Sequence, residues 1–322
     1  MPRLRIVTAS IALLVVAGCG SDPGTADRAA PPDPAEVQAN ELGNIPVLMY
    51  HRIIADPTSV YDRTPDDFRA ELERLARENY VPVTTAELAA GRIDIPAGTH
   101  PVVLTFDDGD PTTLTLGPDG TPAAGTAVRI LLDVAAAHPG FRPVASMYVN
   151  ANPYGGGAAG AAALRWLHEN GFEVGNHTFG HTSLRTASAE RARQDIARGD
   201  AFIREAVPGH VPTTLALPFG ARPGDPGLAV RGPGYDYTAA LLIGANPAPS
   251  PFTADFEAAA IPRIRSQGPN GDAAEFGSTV WLDKLAASPR SRYTSDGIPG
   301  VISYPTGGEV PADRYAAAAV AY

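Results

Sequence analysis

Short apolar bursts alternate with longer amphipathic stretches through most of this chain. "IPVLMY" (Ile45–Tyr50) and "PVVLTF" (Pro101–Phe106) are continuous apolar runs, the pattern of strands covered on both faces. Val144–Val149, Phe172–Val174, Thr214–Leu217 and Thr238–Ile243 read as further strands. "TPDDFRAELERLAREN" offers Thr64 as an N-cap, Pro65 at the first helical position, and Asp66 and Asp67 at the positive end of the helix dipole. Phe68, Leu72 and Leu75 then recur at helical spacing. Helical patterns near Thr126–Ala137, Ala158–Asn170 and Ala187–Val207 separate the later strands. Such alternation predicts an α/β fold built on a mainly parallel sheet or barrel. The helix at 187–207 interleaves arginines with Glu190, Asp195, Asp200 and Glu205, which reads as a solvated, charge-balanced face. "NANPYGGGAAGAAA" (Asn150–Ala163) reads as a rim loop leading into a helix, and the tail "PADRYAAAAVAY" after Tyr304 as a docking helix.

The N-terminus departs from this alternation. Arg3 and Arg5 precede an apolar run from Ile6 to Val16, too short to span a bilayer as a mature helix. It ends in Val16-Ala17-Gly18-Cys19, which resembles a bacterial lipoprotein signal with Cys19 as the lipidated residue; an ordinary secretory peptide is the alternative. The expected organisation is a signal peptide over 1–18, a lipid-linked tether over 19–44, rich in Pro, Ala, Asp and Gly, and one domain over 45–322, exported and anchored to the bacterial cell membrane. Composition narrows the partners. A net charge of −10 argues against nucleic acid, and Cys19, the only cysteine, leaves no internal disulfide and no Cys-rich zinc site.

Polar groups collect where the strands stop. "VVLTF" runs into Asp107-Asp108-Gly109, "FEV" into "GNHTFGHT" with His177 and His181, "TTLAL" into Pro218-Phe219-Gly220, and "PVLMY" into His51. In parallel α/β folds, loops beyond the carboxyl ends of strands form the active site, so four segments are expected to converge on one rim. Two imidazoles and one carboxylate make a facial site for a divalent ion with open positions. Of two adjacent aspartates, one can bind the metal while the other takes a proton from metal-activated water.

"TFDDG" (Thr105–Gly109), "HTFGH" (His177–His181) and "LPFG" (Leu217–Gly220) resemble three motifs of the NodB-type polysaccharide deacetylases, carbohydrate esterase family 4. "IPVLMYHRI" (Ile45–Ile53) and "IPRIRS" (Ile261–Ser266) resemble the poly-N-acetylglucosamine deacetylase branch in particular. The resemblance implies a distorted, incomplete (β/α) barrel. It implies Asp107 as general base and Asp108, His177 and His181 as ligands of one divalent metal ion, zinc by default, with cobalt, nickel or iron also suited. Thr178 then braces the loop, and Pro218 with the Phe219 N–H belongs to the oxyanion and substrate pocket. Two family features are missing. Ala216 stands where many members carry an arginine, and no histidine follows His210 to supply the usual late acid. Arg263 is the expected replacement for the arginine, and His51 the expected general acid. The expected activity is hydrolysis of N-acetyl groups on an envelope or extracellular glycan. A carbohydrate O-acetyl esterase and a non-catalytic glycan-binding lipoprotein are the alternatives. Tyr148, Tyr154, Phe219 and Trp281 are candidate sugar-stacking aromatics, whereas His100, His138, His168 and His210 are expected in solvent-exposed positions.

Overall fold

Eight parallel strands, wound so that alternate residues face inward, carry the polar strand ends to one rim. The structure is a computed structural model that describes residues 32–322; the expected signal peptide, Cys19 and the first part of the expected tether lie outside the described residues. In chain order the elements are β1 (Val47–Tyr50), α1 (Pro65–Arg77), β2 (Tyr80–Val83), α2 (Thr85–Ala89), β3 (His100–Phe106), α3 (Ala127–Ala137), β4 (Ser146–Val149), α4 (Gly157–Glu169), β5 (Glu173–Asn176), α5 (Ala189–Ala206) and β6 (Thr214–Ala216). A short hairpin, β7 (Arg231–Gly232) with β8 (Tyr235–Asp236), follows. Then come β9 (Ala239–Leu241), β10 (Ile264–Arg265), α6 (Ser278–Ala287), β11 (Ile302–Tyr304) and β12 (Ala319–Ala321).

The main sheet runs β10-β1-β3-β4-β5-β6-β9, and β2 pairs with the first half of β3 on the edge that β4 takes further along. Between β9 and β10 the ring is closed by a bridge from Leu241 to Ile261, so the architecture is a distorted, incomplete (β/α) barrel. Thr64, Thr126 and Ser188 cap α1, α3 and α5 by accepting from the N3 backbone N–H.

The strands obey a period of two. Leu48, Tyr50, Val102, Leu104, Phe106, Met147 and Val149 pack outward against Phe68 and Leu72 of α1, Ile130 of α3 and Leu164 of α4. Val47, Val103, Tyr148, Ala216, Ala239, Leu241 and Ile261 face inward and form a second cluster. Continuing the inward parity past each strand's end gives His51 after β1, Asp107 after β3, His177 after β5, and Arg263 just before β10. The barrel interior is crowded. A Cβ on Gly175 would lie 2.4 Å from the Tyr148 ring, so that inward position admits only glycine.

Two expectations change here. The domain begins before Ile45: Asn40 pairs with Thr294, Glu41 N–H donates to the Ser303 carbonyl, and Ala39, Glu41 and Leu42 are buried. A Pro- and Asp-rich composition resembles a tether, yet apolar residues at 39, 42 and 45 suffice to dock the segment. The tail is not a helix. Its alanines follow a short turn at Asp313–Tyr315 and form β12 beside β11, because the backbone of β11 offers a free edge that overrides their helix propensity. Finally, β2, α2 and α6 carry too few periodic residues to stand out by pattern.

Candidate active site and metal centre

Asp107 follows β3 directly, its N–H donating to the Tyr50 carbonyl, and its side chain is 2% exposed. Arg263, fully buried, donates from Nη1 to Asp107 Oδ1 and from Nη2 to Oδ2, both at 2.7 Å. The guanidinium is itself fixed by Nε donating to the Leu242 carbonyl at 2.7 Å and Nη1 to Thr105 Oγ1 at 3.2 Å. Burial alone would favour the protonated acid, but the Arg263 charge, followed by His177, outweighs it and holds the Asp107 carboxyl well below the usual carboxylate range. Its Oδ2 lies 4.0 Å from His51 Nε2 and 3.8 Å from His177 Nε2.

Asp108 turns the other way. Its φ of +73° points the side chain out, where it is 39% exposed and Oδ1 lies 3.5 Å from both His177 Nε2 and His181 Nε2. One donor atom from each of these three residues falls within 4.8 Å of the others. His177 Nδ1 meets the Ala216 carbonyl at 2.8 Å; donation there fixes the tautomer that leaves the Nε2 lone pair free for a metal. Separations of 3.5 Å suit ligands each about 2.1 Å from one ion, so the residues present fit a divalent metal of the zinc class. Ala216, the position lacking the family's arginine, thus contributes its carbonyl, and Arg263 occupies the space beneath Asp107.

The histidine loop is held by Thr178, as expected, and by Asp195, which pattern reading assigned to solvent. Thr178 Oγ1 accepts from Thr182 N–H at 3.1 Å, and Thr178 N–H donates to Asn176 Oδ1 at 2.8 Å. Asn176 in turn donates to the Ile196 carbonyl and to Tyr237 Oη. Asp195 of α5 is 3% exposed, and its Oδ1 and Oδ2 accept from Gly180 N–H at 3.0 and 3.2 Å. Asp200, also buried, accepts from Tyr237 Oη–H and pairs with Arg204. The charge-balanced helix face is therefore two faces, one solvated and one gripping the site. The signal was available: Asp195 and Asp200 share spacing with Ala192, Ile196, Gly199 and Ile203, the buried stripe.

Backbone strain concentrates here. Asp108, Tyr154, Thr178, His181 and Phe219 all have φ between +50° and +73°, five of the eight non-glycine residues in that region among those described. Such conformations cost about 1–3 kcal/mol each and persist where the surroundings dictate them. Pro218 is buried at the start of the 218–220 turn; Gly220 and Ala221 make its internal hydrogen bonds, and Phe219 stands 62% exposed with its ring 4.6 Å from that of His181. His51, Asp107, Asp108, His177, His181 and Phe219, but not Pro218 or Thr178, line a cleft of about 300 Å³ with Arg52, Tyr61, Asp62 and Asp110; Tyr61 and Asp62 come from a loop that no motif announced. Tyr61 packs its ring 4.9 Å from that of His51.

Among the candidate stacking aromatics only Phe219 faces this cleft. Tyr148 is wholly buried in the barrel, its Oη 3.0 Å from Thr214 Oγ1, and Tyr154 is 5% exposed. Trp281 is half-buried, donating Nε1–H to the Ala245 carbonyl. His100 and His210 are not solvent-exposed: His100 Nδ1 lies 2.8 Å from the Tyr293 carbonyl and His210 Nε2 2.8 Å from that of Val174. Both meet carbonyls of buried residues.

Residues 94–238 match the family model described as polysaccharide deacetylase. The fold is similar to the Streptococcus pyogenes deacetylase PplD, solved in complex with acetate, at 20% identity and a TM-score of 0.55 over 71% of this chain and 95% of that one. It is similar to IcaB from Ammonifex degensii at 20% identity and 0.53, over 76% and 96%. A polysaccharide deacetylase from Bacillus cereus, BC0361, matches at 21% identity and 0.53, over 69% and 64%. No curated protein matches the sequence.

Proposed function

We propose that the chain is a metal-dependent hydrolase of the polysaccharide deacetylase kind, removing N-acetyl groups from an N-acetylhexosamine-containing envelope or extracellular polysaccharide, a reading supported by the family model matched over residues 94–238. One observation carries this reading. Two adjacent carboxylates are split by environment, Asp107 buried and clamped by Arg263, Asp108 exposed against two imidazoles. That division suits one to move protons and the other to bind an ion.

A divalent ion held by Asp108, His177 and His181 would polarise the acetyl carbonyl and acidify water, with zinc the leading choice and cobalt, nickel or iron suited to the same donors. Asp107 takes the proton of the attacking water at Oδ2, the oxygen turned toward the cleft side of both His51 and His177. Arg263 keeps that carboxylate ionised and in one orientation between turnovers. The Phe219 N–H, in its strained turn, donates to the oxygen on which negative charge develops. His51 Nε2 gives a proton to the departing amine, which cannot leave as an amide anion.

Acetate release from N-acetylglucosamine oligomers, with and without chelator, tests the reading. Asp107→Asn should lose at least about 100-fold in kcat while elemental analysis shows the metal retained; undiminished turnover in that variant would refute the assignment. Faster release from O-acetylated xylan than from N-acetylated oligomers would assign the esterase activity instead, and binding without release would leave a glycan-binding protein.

A further inference from the structure

Beside the active-site cleft lies a second, smaller cavity of about 150 Å³, lined by Tyr61, Ile243, Gly244, Ala245, Arg265 and Phe276 among others. It shares Tyr61 and Ile243 with the cleft, so the two are compartments of one groove. The Tyr61 ring is the partition. The His51 ring packs 4.9 Å from it, and the Arg265 guanidinium carbon lies 5.7 Å from its centroid, within reach of a cation–π contact.

The geometry points to this compartment as a subsite for a second pyranose residue of the glycan whose neighbouring sugar lies over the metal centre, an inference that rests on the deacetylase reading above. The chemistry suits a sugar ring, which presents an apolar face and hydroxyl edges. Gly244 and Ala245 make a floor with almost no side chain, pinned from below by the Trp281 Nε1–H bond to the Ala245 carbonyl at 2.6 Å. A Cβ on Gly244 would meet Arg263 N and Pro262 Cβ at 3.2 Å, so the floor stays close to the residue that clamps Asp107. Phe276, 47% exposed, supplies an apolar wall. Arg265 supplies the polar recognition. Gln267 Oε1 accepts from its Nε at 3.0 Å and Nη2 at 2.5 Å, and the Asp272 carbonyl accepts from Nη2 at 2.7 Å. Those bonds orient the fork and leave Nη1 for a hydroxyl or an acetamido carbonyl of the sugar. Val60, Phe219 and Phe276, three of the six large apolar side chains most exposed among the described residues, border the combined groove or adjoin its lining.

Chain-length dependence tests this. For the wild-type metalloenzyme, kcat/KM for acetate release should rise from the N-acetylglucosamine monomer to the tetramer. In Phe276→Ala and in Arg265→Ala the tetramer-to-monomer ratio should drop about tenfold, the loss of one packed aromatic or one oriented donor. Phe276 is partly in solvent, so its truncation leaves the core intact; unchanged melting temperatures verify that. Arg265→Lys should restore little, because an ammonium lacks the second, oriented N–H arm. A ratio unchanged in both variants overturns the subsite. Calorimetric titration with the tetramer separates this outcome from failure of the deacetylase reading. Tetramer binding that weakens in Phe276→Ala, without any acetate release, keeps the subsite and removes the activity, whereas binding equal in wild type and variant removes the subsite.

Discussion

Arg263 and Asp107 form a buried pair, joined by two 2.7 Å hydrogen bonds across 156 residues of sequence. Removing one partner of such a pair leaves an uncompensated buried charge, at a cost of about 3–5 kcal/mol. Arg263→Met should therefore destabilise the fold by that amount in urea denaturation near neutral pH. Adding Asp107→Asn should recover much of the loss, because the orphaned charge goes with it; strictly additive effects would show that the two side chains are not coupled. The same pair marks what a sequence can and cannot disclose at this scale. Asp107, Asp108, His177 and His181 announce themselves by motif and by their place after apolar runs. Arg263 is visible only through the resemblance of "IPRIRS", since nothing in local spacing ties it to Asp107. Tyr61, which lines the cleft, sits in a loop without periodicity and gave no signal.

Elements decide where those residues go. Inward parity along β1, β3 and β5 aims His51, Asp107 and His177 at a common space, and that parity is readable once the strands are placed. Strand positions were legible because parallel strands buried on both faces are continuous apolar runs. The role of α5 showed only in the spacing of Asp195 and Asp200 with the apolar stripe, because charge by itself reads as solvated. Asp195 accepts the Gly180 N–H between the two candidate ligands and is 3% exposed. Asp195→Ala should leave that donor unpaired and loosen the loop, lowering metal affinity about 10–100-fold, as measured by chelator competition. Asp195→Asn keeps an acceptor oxygen and should recover part of the affinity. Equal affinity in wild type and both variants would confine Asp195 to a structural role elsewhere in the helix.

At the scale of the whole molecule, the N-terminal segment and the C-terminal strands meet in a seam that sequence reading divided between a tether and a tail helix. Glu41 is its centre: Tyr293 Oη–H and Ser303 N–H donate to its two oxygens, and the buried Asp296 lies close by. Burial, then the Asp296 charge, push the Glu41 carboxyl from an ordinary 4.5 up to about 8, against those donors. The folded chain thus binds a proton between pH 4.5 and 8 that the unfolded chain releases, so stability from this group is present below pH 4.5 and lost as pH rises toward 8. His100 works oppositely. Burial and Arg292 lower it from 6.5 to about 4, so its contribution is complete above pH 6.5 and is lost as pH falls toward 4. Across pH 4.5–6.5 the two slopes, each about 1.4 kcal/mol per pH unit, offset one another. Above 6.5 Glu41 acts without that compensation. Glu173, buried in the barrel and also raised, adds to the same direction, so the seam is isolated by difference. The stability of the wild type minus that of Glu41→Gln should decline by about 1.4 kcal/mol per pH unit from pH 5 to 8, read from urea midpoints at each pH. A difference that stays level with pH would mean that Glu41 is ionised in the folded seam, with its two donors outweighing burial.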